Sequence, residues 1–317
     1  MVYIDEDNVT QQAFDNVTFK SKELIIVGEN IWRYGAPILM AIGTFGNVCS
    51  VIVLSRKRMR KITMNLFLLA LAIVDISMLW TGLLRKWIDV LLDVDFRILS
   101  GTSCKFHIFI QYTLRYLSSW IVMMVSIERF IAVFFPLRVK LVCKRLTFLI
   151  ALSTVVVALV GLNLHFFWTF DLVEKDGTLK CETKADYVSY RRLWSWVNAM
   201  FASVIPSFVM FISSSLIIGK LVLRRCNTTT VTNGASKLAS TISILILCNL
   251  FLLLILPSVI YQIRRPMVYP PPRVFSDYML MGVIFNFLHY MNNVTNFFIY
   301  CVASKRFRRE LVSIFKA

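Results

Sequence analysis

Four charged side chains lie within long apolar stretches of this sequence, two of them near the end of a stretch. Asp75 stands alone in one stretch. A second stretch holds Arg115 and, further on, the adjacent pair Glu128 and Arg129. A buried carboxylate can hold a cation or a proton, a lone arginine can bind an acidic group, and a Glu-Arg pair can form and break an ion pair. These four residues are the first candidates for chemistry, because an uncompensated charge in an apolar medium is costly.

The stretches that hold these charges are long enough to cross a lipid bilayer. The 317 residues are 57% hydrophobic and 17% charged, which is more apolar surface than one soluble core can hide. A helix spans the hydrocarbon with about 20 residues at 1.5 Å each. The apolar runs are residues 36–54, 62–84, 106–135, 146–170, 193–219, 238–263 and 278–304. Since they are too long for barrel strands, we expect an all-α membrane protein, a seven-transmembrane helix bundle.

The chain divides into three parts on this interpretation. Residues 1–31 form an extracellular N-terminal segment, residues 32–304 form the bundle, and residues 305–317 form a short amphipathic cytoplasmic helix. The apolar residues of this last segment recur at helical spacing among cations; they are Phe307, Leu311, Ile314 and Phe315. We expect the segment to lie flat on the anionic inner leaflet.

The charge distribution predicts the orientation of the bundle. The loops after the first, third and fifth spans and the tail together carry 18 Lys and Arg residues against one acid, Glu310. By the positive-inside rule this face is cytoplasmic, so the N-terminus is extracellular and the protein is a multi-pass protein of the plasma membrane. Nucleic-acid binding is not expected, because the cations flank apolar spans and do not line a soluble face.

Two features of the opposite face agree with this orientation. Asn8 and Asn16 begin N-x-T glycosylation sequons in the N-terminal segment. Of the seven cysteines, only Cys104 and Cys181 map outside, where an oxidising environment favours a disulfide between them. The alternative is a pair of free thiols.

The spans carry residues in an order that resembles the rhodopsin-like, class A G-protein-coupled receptors. The matching residues are Gly46, Asn47, Val48, Leu71, Ala72, Asp75, Glu128, Arg129, Pro136, Pro206, Phe251, Pro257, Asn296, Tyr300, Phe307 and Arg308. The resemblance covers residues 36–315. It implies a receptor that signals to a heterotrimeric G protein and that is not an enzyme.

The resemblance gives Glu128 and Arg129 a role as a switch, together with Tyr300. In the family, the arginine meets the G protein once the helices part; in the resting state it can pair with its neighbour. The third residue is Phe130 where the family commonly has tyrosine. The alternative for the charged pair is a snorkelling role at the membrane interface.

The same resemblance implies a sodium site around Asp75. The residues that match the family's sodium ligands are Ser118, Asn292 and Asn296, and Asn47 lies nearby. All of them offer oxygen, which a hard cation prefers. The alternative is a protonated acid that is hydrogen-bonded to the same amides. No cofactor is expected besides this allosteric sodium ion.

Several positions depart from the family pattern. The fourth span lacks its usual tryptophan, Leu254 and Ile255 stand where Cys-Trp is common, and the seventh span has no proline between Asn296 and Tyr300. Both a divergent receptor and a pseudo-receptor that binds without signalling fit these departures.

The ligand is expected to be a neuropeptide. Gln111 occupies the position at which amine receptors carry an aspartate, so a biogenic amine is not expected. Aromatic and polar residues are concentrated at the outer ends of the spans, although an interfacial belt needs about half of such aromatics. The predicted ligand-binding residues are Gln111, Tyr112, Arg115, Trp194, Asn198, Tyr261, Gln262, Asn286, His289 and Tyr290. A non-amine small molecule is the alternative ligand.

Arg115 is the most specific member of this set. We expect it to face the pocket and to receive an acidic or amide-carbonyl group of the ligand. The alternative is structural, with Arg115 satisfied by helix carbonyls and by Asn286 or His289.

Two other classes of membrane protein fit less well. A secondary transporter would show an internal repeat, and the sequence has none. A membrane enzyme would need a catalytic cluster, but His107, His165 and His289 are scattered and no known hydrolase or phosphate-binding motif is present.

Overall fold

The computed structural model describes residues 22–139, 144–175, 177–227, 235–264 and 272–315. The predicted glycosylation sites Asn8 and Asn16 lie outside these residues. The helices in the described part are α1 (Lys22–Ser55), α2 (Thr63–Leu92), α3 (Gly101–Phe134), α4 (Arg145–Asn163), α5 (residues 188–227), α6 (Ala235–Arg264), α7 (Pro272–Ala303) and α8 (Lys305–Phe315).

Helix α3 runs through the centre of the bundle and packs on α2, α4, α5 and α6, while α7 packs on α1 and α6. Five segments in the described part have the length and apolar composition to cross a membrane. They are Lys22–Ser55, Thr63–Leu92, Gly101–Phe134, Arg145–Thr169 and Leu193–Leu223. With α6 and α7 they form the predicted seven-helix bundle.

Glycines in α1 allow this helix to approach α7 closely. A Cβ atom at Gly35 would lie 2.7 Å from the ring of Phe287, and one at Gly46 would lie 2.9 Å from Cβ of Phe297. Small residues at such contacts replace the hydrophobic driving force that is missing between helices in lipid. The position of α7 therefore depends on α1.

Three helices contain a widened π-helical turn. The turns are Ile31–Gly35 in α1, Leu79–Leu83 in α2 and Met200–Val204 in α5. In α1 and α5 a proline, Pro37 or Pro206, follows two residues after the turn. A proline clashes with the carbonyl four residues earlier, which lies inside the turn, so the wider turn accommodates the proline.

A two-stranded hairpin covers one end of the bundle. Strand β1 (Phe170–Lys175) pairs antiparallel with β2 (Thr178–Thr183), and Gly177 takes φ +70° in the turn. The predicted disulfide between Cys104 and Cys181 is confirmed, with a Cα–Cα distance of 5.5 Å. It pins β2 to the start of α3. We call this end the hairpin end and the opposite end the α8 end.

The hairpin was not predicted from the sequence. The uncharged run 146–170 predicted a span, and the segment Arg145–Thr169 has the length and composition to cross a membrane. Within it, α4 ends at Asn163 and a one-turn helix, Phe166–Thr169, leads into β1. The absence of charge marks a segment that lipid or protein can cover. It does not mark the residue at which a helix ends, so the strands were missed.

Helix α8 is present as predicted, but its apolar side faces the protein. Phe307 is 1% exposed and packs on Tyr300, with ring centroids 5.6 Å apart, and on Phe297. Leu311 and Ile314 pack against the same core. The bundle therefore holds Phe307, Leu311 and Ile314, and the expectation that the segment lies flat on the inner leaflet stays a prediction. The charged residues Lys305, Arg306, Arg308 and Arg309 remain exposed.

Candidate functional sites

A small polar cavity lies between α3, α5, α6 and α7 in the hairpin-end half of the bundle. Its volume is about 10 Å³, which is room for about one water molecule. Its lining residues are Arg115, Asn198, Ala199, Ala202, Ser203, Ile255, Val259, Gln262 and His289. Four of these, Arg115, Asn198, Gln262 and His289, were predicted to bind the ligand.

Arg115 reaches across the cavity to α6. Its terminal nitrogen donates a hydrogen bond to the side-chain oxygen of Gln262 over 2.9 Å. The amide nitrogen of Gln262 in turn donates to the hydroxyl of Ser258 over 3.0 Å. The guanidinium also lies 5.9 Å from the centre of the Tyr112 ring. The partner of Arg115 is thus Gln262, and neither of the expected structural partners, Asn286 and His289, takes that place.

The cavity offers several polar atoms without partners. Nε of Arg115, Nδ1 of His289 and the hydroxyl of Ser203 are buried and form no hydrogen bond. His289 is 5% exposed and Ser203 is fully buried. Asn198 is partly satisfied, because the Tyr116 hydroxyl donates to its oxygen over 2.8 Å. Within the described part of the chain, no carboxylate forms an ion pair with Arg115. The site therefore presents one fixed donor, Nε of Arg115, and two groups that can donate or accept, the Ser203 hydroxyl and Nδ1 of His289.

Ser203 was not predicted from the sequence. It lines the cavity with Asn198, five residues earlier, because the π-helical turn in α5 lies between residues 200 and 204. A regular helix repeats every 3.6 residues and would turn position 203 away from the face of position 198. The proline that follows this turn is the signal that could have found it.

Gln111 and Tyr290 form a second polar group next to α2. The polar ends of both side chains lie against Gly82, so a Cβ atom there would push them aside. Gln111 donates to the hydroxyl of Thr81. These two predicted ligand residues are therefore close to each other, but they do not line the cavity of Arg115.

Two predicted aromatic residues support the hairpin end. Trp194 packs on His165, with ring centroids 3.9 Å apart. Tyr112 packs on Phe166, with ring centroids 4.7 Å apart. Both belong to the cluster around the disulfide. Their contacts in this structure are with protein side chains, and Trp194 keeps a buried Nε1 without a partner.

The two remaining predicted ligand residues lie between α6 and α7. Tyr261 is 7% exposed and packs on Tyr278, with ring centroids 4.8 Å apart. The amide of Asn286 donates to the carbonyl of Gly282 in its own helix over 2.7 Å. Neither residue lines the cavity of Arg115, so the structure divides the predicted set into separate groups.

Asp75 is completely buried beside amide and hydroxyl groups. The amide of Asn296 donates to its Oδ2 over 2.7 Å. Its Oδ1, the hydroxyl of Ser118 and Oδ1 of Asn47 have no hydrogen-bond partner. Asn292 is 4% exposed in the same region. The three unpartnered oxygens, one of which belongs to the Asp75 carboxylate, are of the type that a hard cation prefers.

The charged pair near the α8 end meets the start of α2. The guanidinium of Arg129 contacts the sulfur of Met64. The carboxylate of Glu128 accepts a hydrogen bond from the Met64 backbone and keeps one oxygen, Oε2, buried without a partner. Tyr300 is 6% exposed and its hydroxyl has no partner. The three predicted switch residues thus lie near the α8 end, each held by packing.

Ion pairs tie the loops at the hairpin end. Asp95 accepts from Arg85 over 3.1 Å and from Nε of Arg97 over 2.9 Å. Burial alone would raise the pKa of Asp95, but the hydrogen bonds from Arg97 and the charge of Arg85 lower it below its usual value. The hydrogen bond from Lys105, 2.9 Å away, likewise lowers the pKa of Asp171 in β1. These carboxylates hold the loops over the bundle.

Seven helices, a disulfide-pinned hairpin over a polar cavity and a charged pair at the other end describe a transmembrane receptor. Residues 46–300 match the family described as 7 transmembrane receptor (rhodopsin family). The chain therefore belongs to the rhodopsin family, whose members are receptors and not enzymes.

Several curated relatives of the chain come from Caenorhabditis elegans. Neuropeptide receptor 22 is 26% identical over 86% of this chain and 66% of its own length. The galanin-like G-protein coupled receptor npr-9 is 23% identical over 98% of this chain and 78% of its own length. The FMRFamide peptide receptor frpr-18 is 25% identical over 88% of this chain and 68% of its own length. The matches therefore cover 66% to 78% of these relatives.

Proposed function

We propose that this protein is a plasma-membrane receptor that binds an extracellular peptide and activates a heterotrimeric G protein. The observation that carries this proposal is the rhodopsin-family match over residues 46–300. Relatives that are named as neuropeptide, galanin-like and FMRFamide receptors support a peptide as the ligand.

The proposed orientation places the hairpin end outside the cell. The α8 end carries most of the exposed cations, including those of α8, and the positive-inside rule assigns such a face to the cytoplasm. The disulfide at the hairpin end agrees with an oxidising exterior. The ligand then enters under the hairpin, and the G protein meets Arg129 at the α8 end.

The ligand site in this proposal begins at the two polar groups under the hairpin. Gln111 and Tyr290 lie beside α2, and Arg115 lies deeper. A peptide is long enough to contact both groups, and each extended residue adds about 3.3 Å of reach. Aromatic side chains near the entrance, such as Trp194, add apolar surface for its side chains.

A sodium ion is proposed as an allosteric ligand at Asp75. The carboxylate and the hydroxyl of Ser118 supply oxygen atoms, and Asn292 and Asn296 lie in the same buried region. A cation there neutralises a charge that is buried between α2, α3 and α7, and it favours the arrangement in which those helices stay together.

A peptide library tests the proposal. Cells that express the chain are screened with calcium and cAMP read together, and membranes from the same cells are assayed for nucleotide exchange on added G protein. Cells that express Arg129→Ala at an equal surface level are the control. We expect peptide responses only with the parent chain.

Three outcomes would contradict parts of the proposal. Equal responses in the Arg129→Ala cells would assign the signal to another receptor. Peptide binding without exchange would identify a receptor that binds without signalling. Uptake of labelled solutes into vesicles, without exchange, would favour a transporter.

A further inference from the structure

A chain of polar side chains joins α3 to α6 across the cavity. Arg115 donates to Gln262 over 2.9 Å, and Gln262 donates to Ser258 over 3.0 Å. Ser258 is 1% exposed, so this end of the chain is anchored in the protein interior. We call the three residues the polar bridge.

The polar bridge leaves the arginine incompletely satisfied. Gln262 offers a neutral amide oxygen. A guanidinium binds a carboxylate more strongly than it binds an amide, and it does so with bidentate geometry. Nε of Arg115 has no partner, although it is buried. His289 Nδ1 and the Ser203 hydroxyl, both in side chains more than nine-tenths buried, are also unpartnered in the same cavity. The guanidinium therefore has an unused N–H for an anionic group that displaces the Gln262 amide from this narrow cavity.

We propose that Gln262 holds the place on Arg115 that a carboxylate of the ligand takes. When the carboxylate binds, Gln262 is released and α6 is no longer tied to α3 at this level. The proposal rests on the proposed function only for its ligand; the tie between the helices is a property of the chain alone.

The position of the polar bridge in α6 connects the loss of the Arg115–Gln262 hydrogen bond to the α8 end of the bundle. Pro257 lies inside α6, next to Ser258, and an internal proline weakens the helix at that point. Gln262 lies on the hairpin side of this proline, and residues 235–256 lie on the α8 side. When the hydrogen bond between Arg115 and Gln262 is lost, residues 235–256 of α6 can move away from α3.

The ligand-independent test measures the distance between α3 and α6. Spin labels are placed at Leu137, which is 89% exposed, and at Ile246, which is 44% exposed, after the accessible native cysteines are replaced by serine. Gln262→Ala should at least double the long-distance population of the unliganded chain. Gln262→Glu, which gives Arg115 an ion pair, should reduce that population.

Two further variants complete this test. Asn249→Ala is the matched control, because this amide donates only to Leu245 in its own helix and its loss should change nothing. Arg115→Gln with Gln262→Arg reverses the polar bridge and should return the distances to those of the parent. Equal distributions for Gln262→Ala, Gln262→Glu and the parent would overturn the tie.

Nucleotide exchange separates this inference from the proposed function. If Gln262→Ala lengthens the distance between the spin labels and raises basal nucleotide exchange at least twofold, both the polar bridge and G-protein activation are supported. If the distance lengthens without any exchange, the tie stands and G-protein activation fails.

Acetate tests the anionic character of the site. With the parent chain, sodium acetate should lengthen the distance relative to sodium chloride at equal concentration, and acetamide should not. Arg115→Gln should abolish the difference. If acetate and chloride give the same distribution in the parent chain, the carboxylate assignment is overturned.

Discussion

Replacement of Gly46 by alanine should loosen the contact between α1 and α7. The new Cβ would lie 2.9 Å from Cβ and 3.1 Å from Cγ of Phe297. The Cβ atom is bonded to the backbone of α7 and cannot rotate away, so the helices must separate by several tenths of an ångström. Overpacking of this kind costs about 1–3 kcal/mol.

The matched control is Gly161→Ala in α4. A Cβ at Gly161 meets nothing within 4 Å, so only the gain in helix propensity remains, which is about 0.5–1 kcal/mol. The same gain offsets part of the overpacking at Gly46. We therefore expect Gly46→Ala to be about 1–3 kcal/mol less stable than Gly161→Ala, or roughly 2–10 °C lower in melting temperature.

A thiol-reactive dye measures this difference on the full chain in detergent. Cys49 and Cys248 are buried and free, and they become reactive when the helices separate. The midpoint of the dye signal is compared for the parent and the two variants. A midpoint for Gly46→Ala that equals or exceeds that of Gly161→Ala would refute the close packing of α1 on α7.

Three predictions concern charged residues. Arg129→Ala should abolish nucleotide exchange while peptide affinity stays within about tenfold, because it removes a contact made only in the active state. Sodium should lower agonist affinity in the parent, and Asp75→Asn should remove this effect, because a bound cation favours the resting arrangement. Asp95→Asn should lower the melting temperature at pH 7. Because the folded-state pKa of Asp95 is lowered, the stability it contributes is present above its ordinary pKa of 3.8 and is lost as the pH falls through the folded-state value. The gap between parent and Asp95→Asn should therefore narrow below about pH 4.

Each of these predictions has an outcome that opposes it. Normal exchange in Arg129→Ala would leave that residue a role at the membrane interface only. Agonist binding that ignores sodium, at constant ionic strength, would favour a protonated Asp75. A constant gap between Asp95→Asn and the parent from pH 7 to pH 3 would mean that Asp95 is not held by its arginines.

The seven spans and the disulfide were predictable because their signals are one-dimensional. A run of uncharged residues marks a span, and two cysteines on one side of a membrane have few alternatives. Contacts across the bundle carry no such signal. The partner of Arg115 is Gln262, 147 positions away, and nothing in either local sequence distinguishes it from Asn286 or His289.

The hairpin and the environment of α8 were missed for related reasons. Strand β1 begins at Phe170, the last residue of an uncharged run, because pairing with β2 and the disulfide decide its conformation. The apolar side of α8 has the same spacing whether it faces lipid or protein. Only the packing of Phe307 on Tyr300 shows that the bundle covers it.

Each π-helical turn divides its helix into two segments, and the number of residues in the turn sets how one segment is rotated relative to the other. In α5, removing one residue from Met200–Val204 would rotate residues 188–199 by about 100° relative to the rest of the helix. Asn198 would then leave Tyr116 and the cavity, while the part of α5 near the α8 end kept its neighbours. A single insertion or deletion could thus exchange the side chains that α5 presents to the cavity without changing its contacts near the α8 end. Ligand preference and signalling output can diverge separately in such a chain.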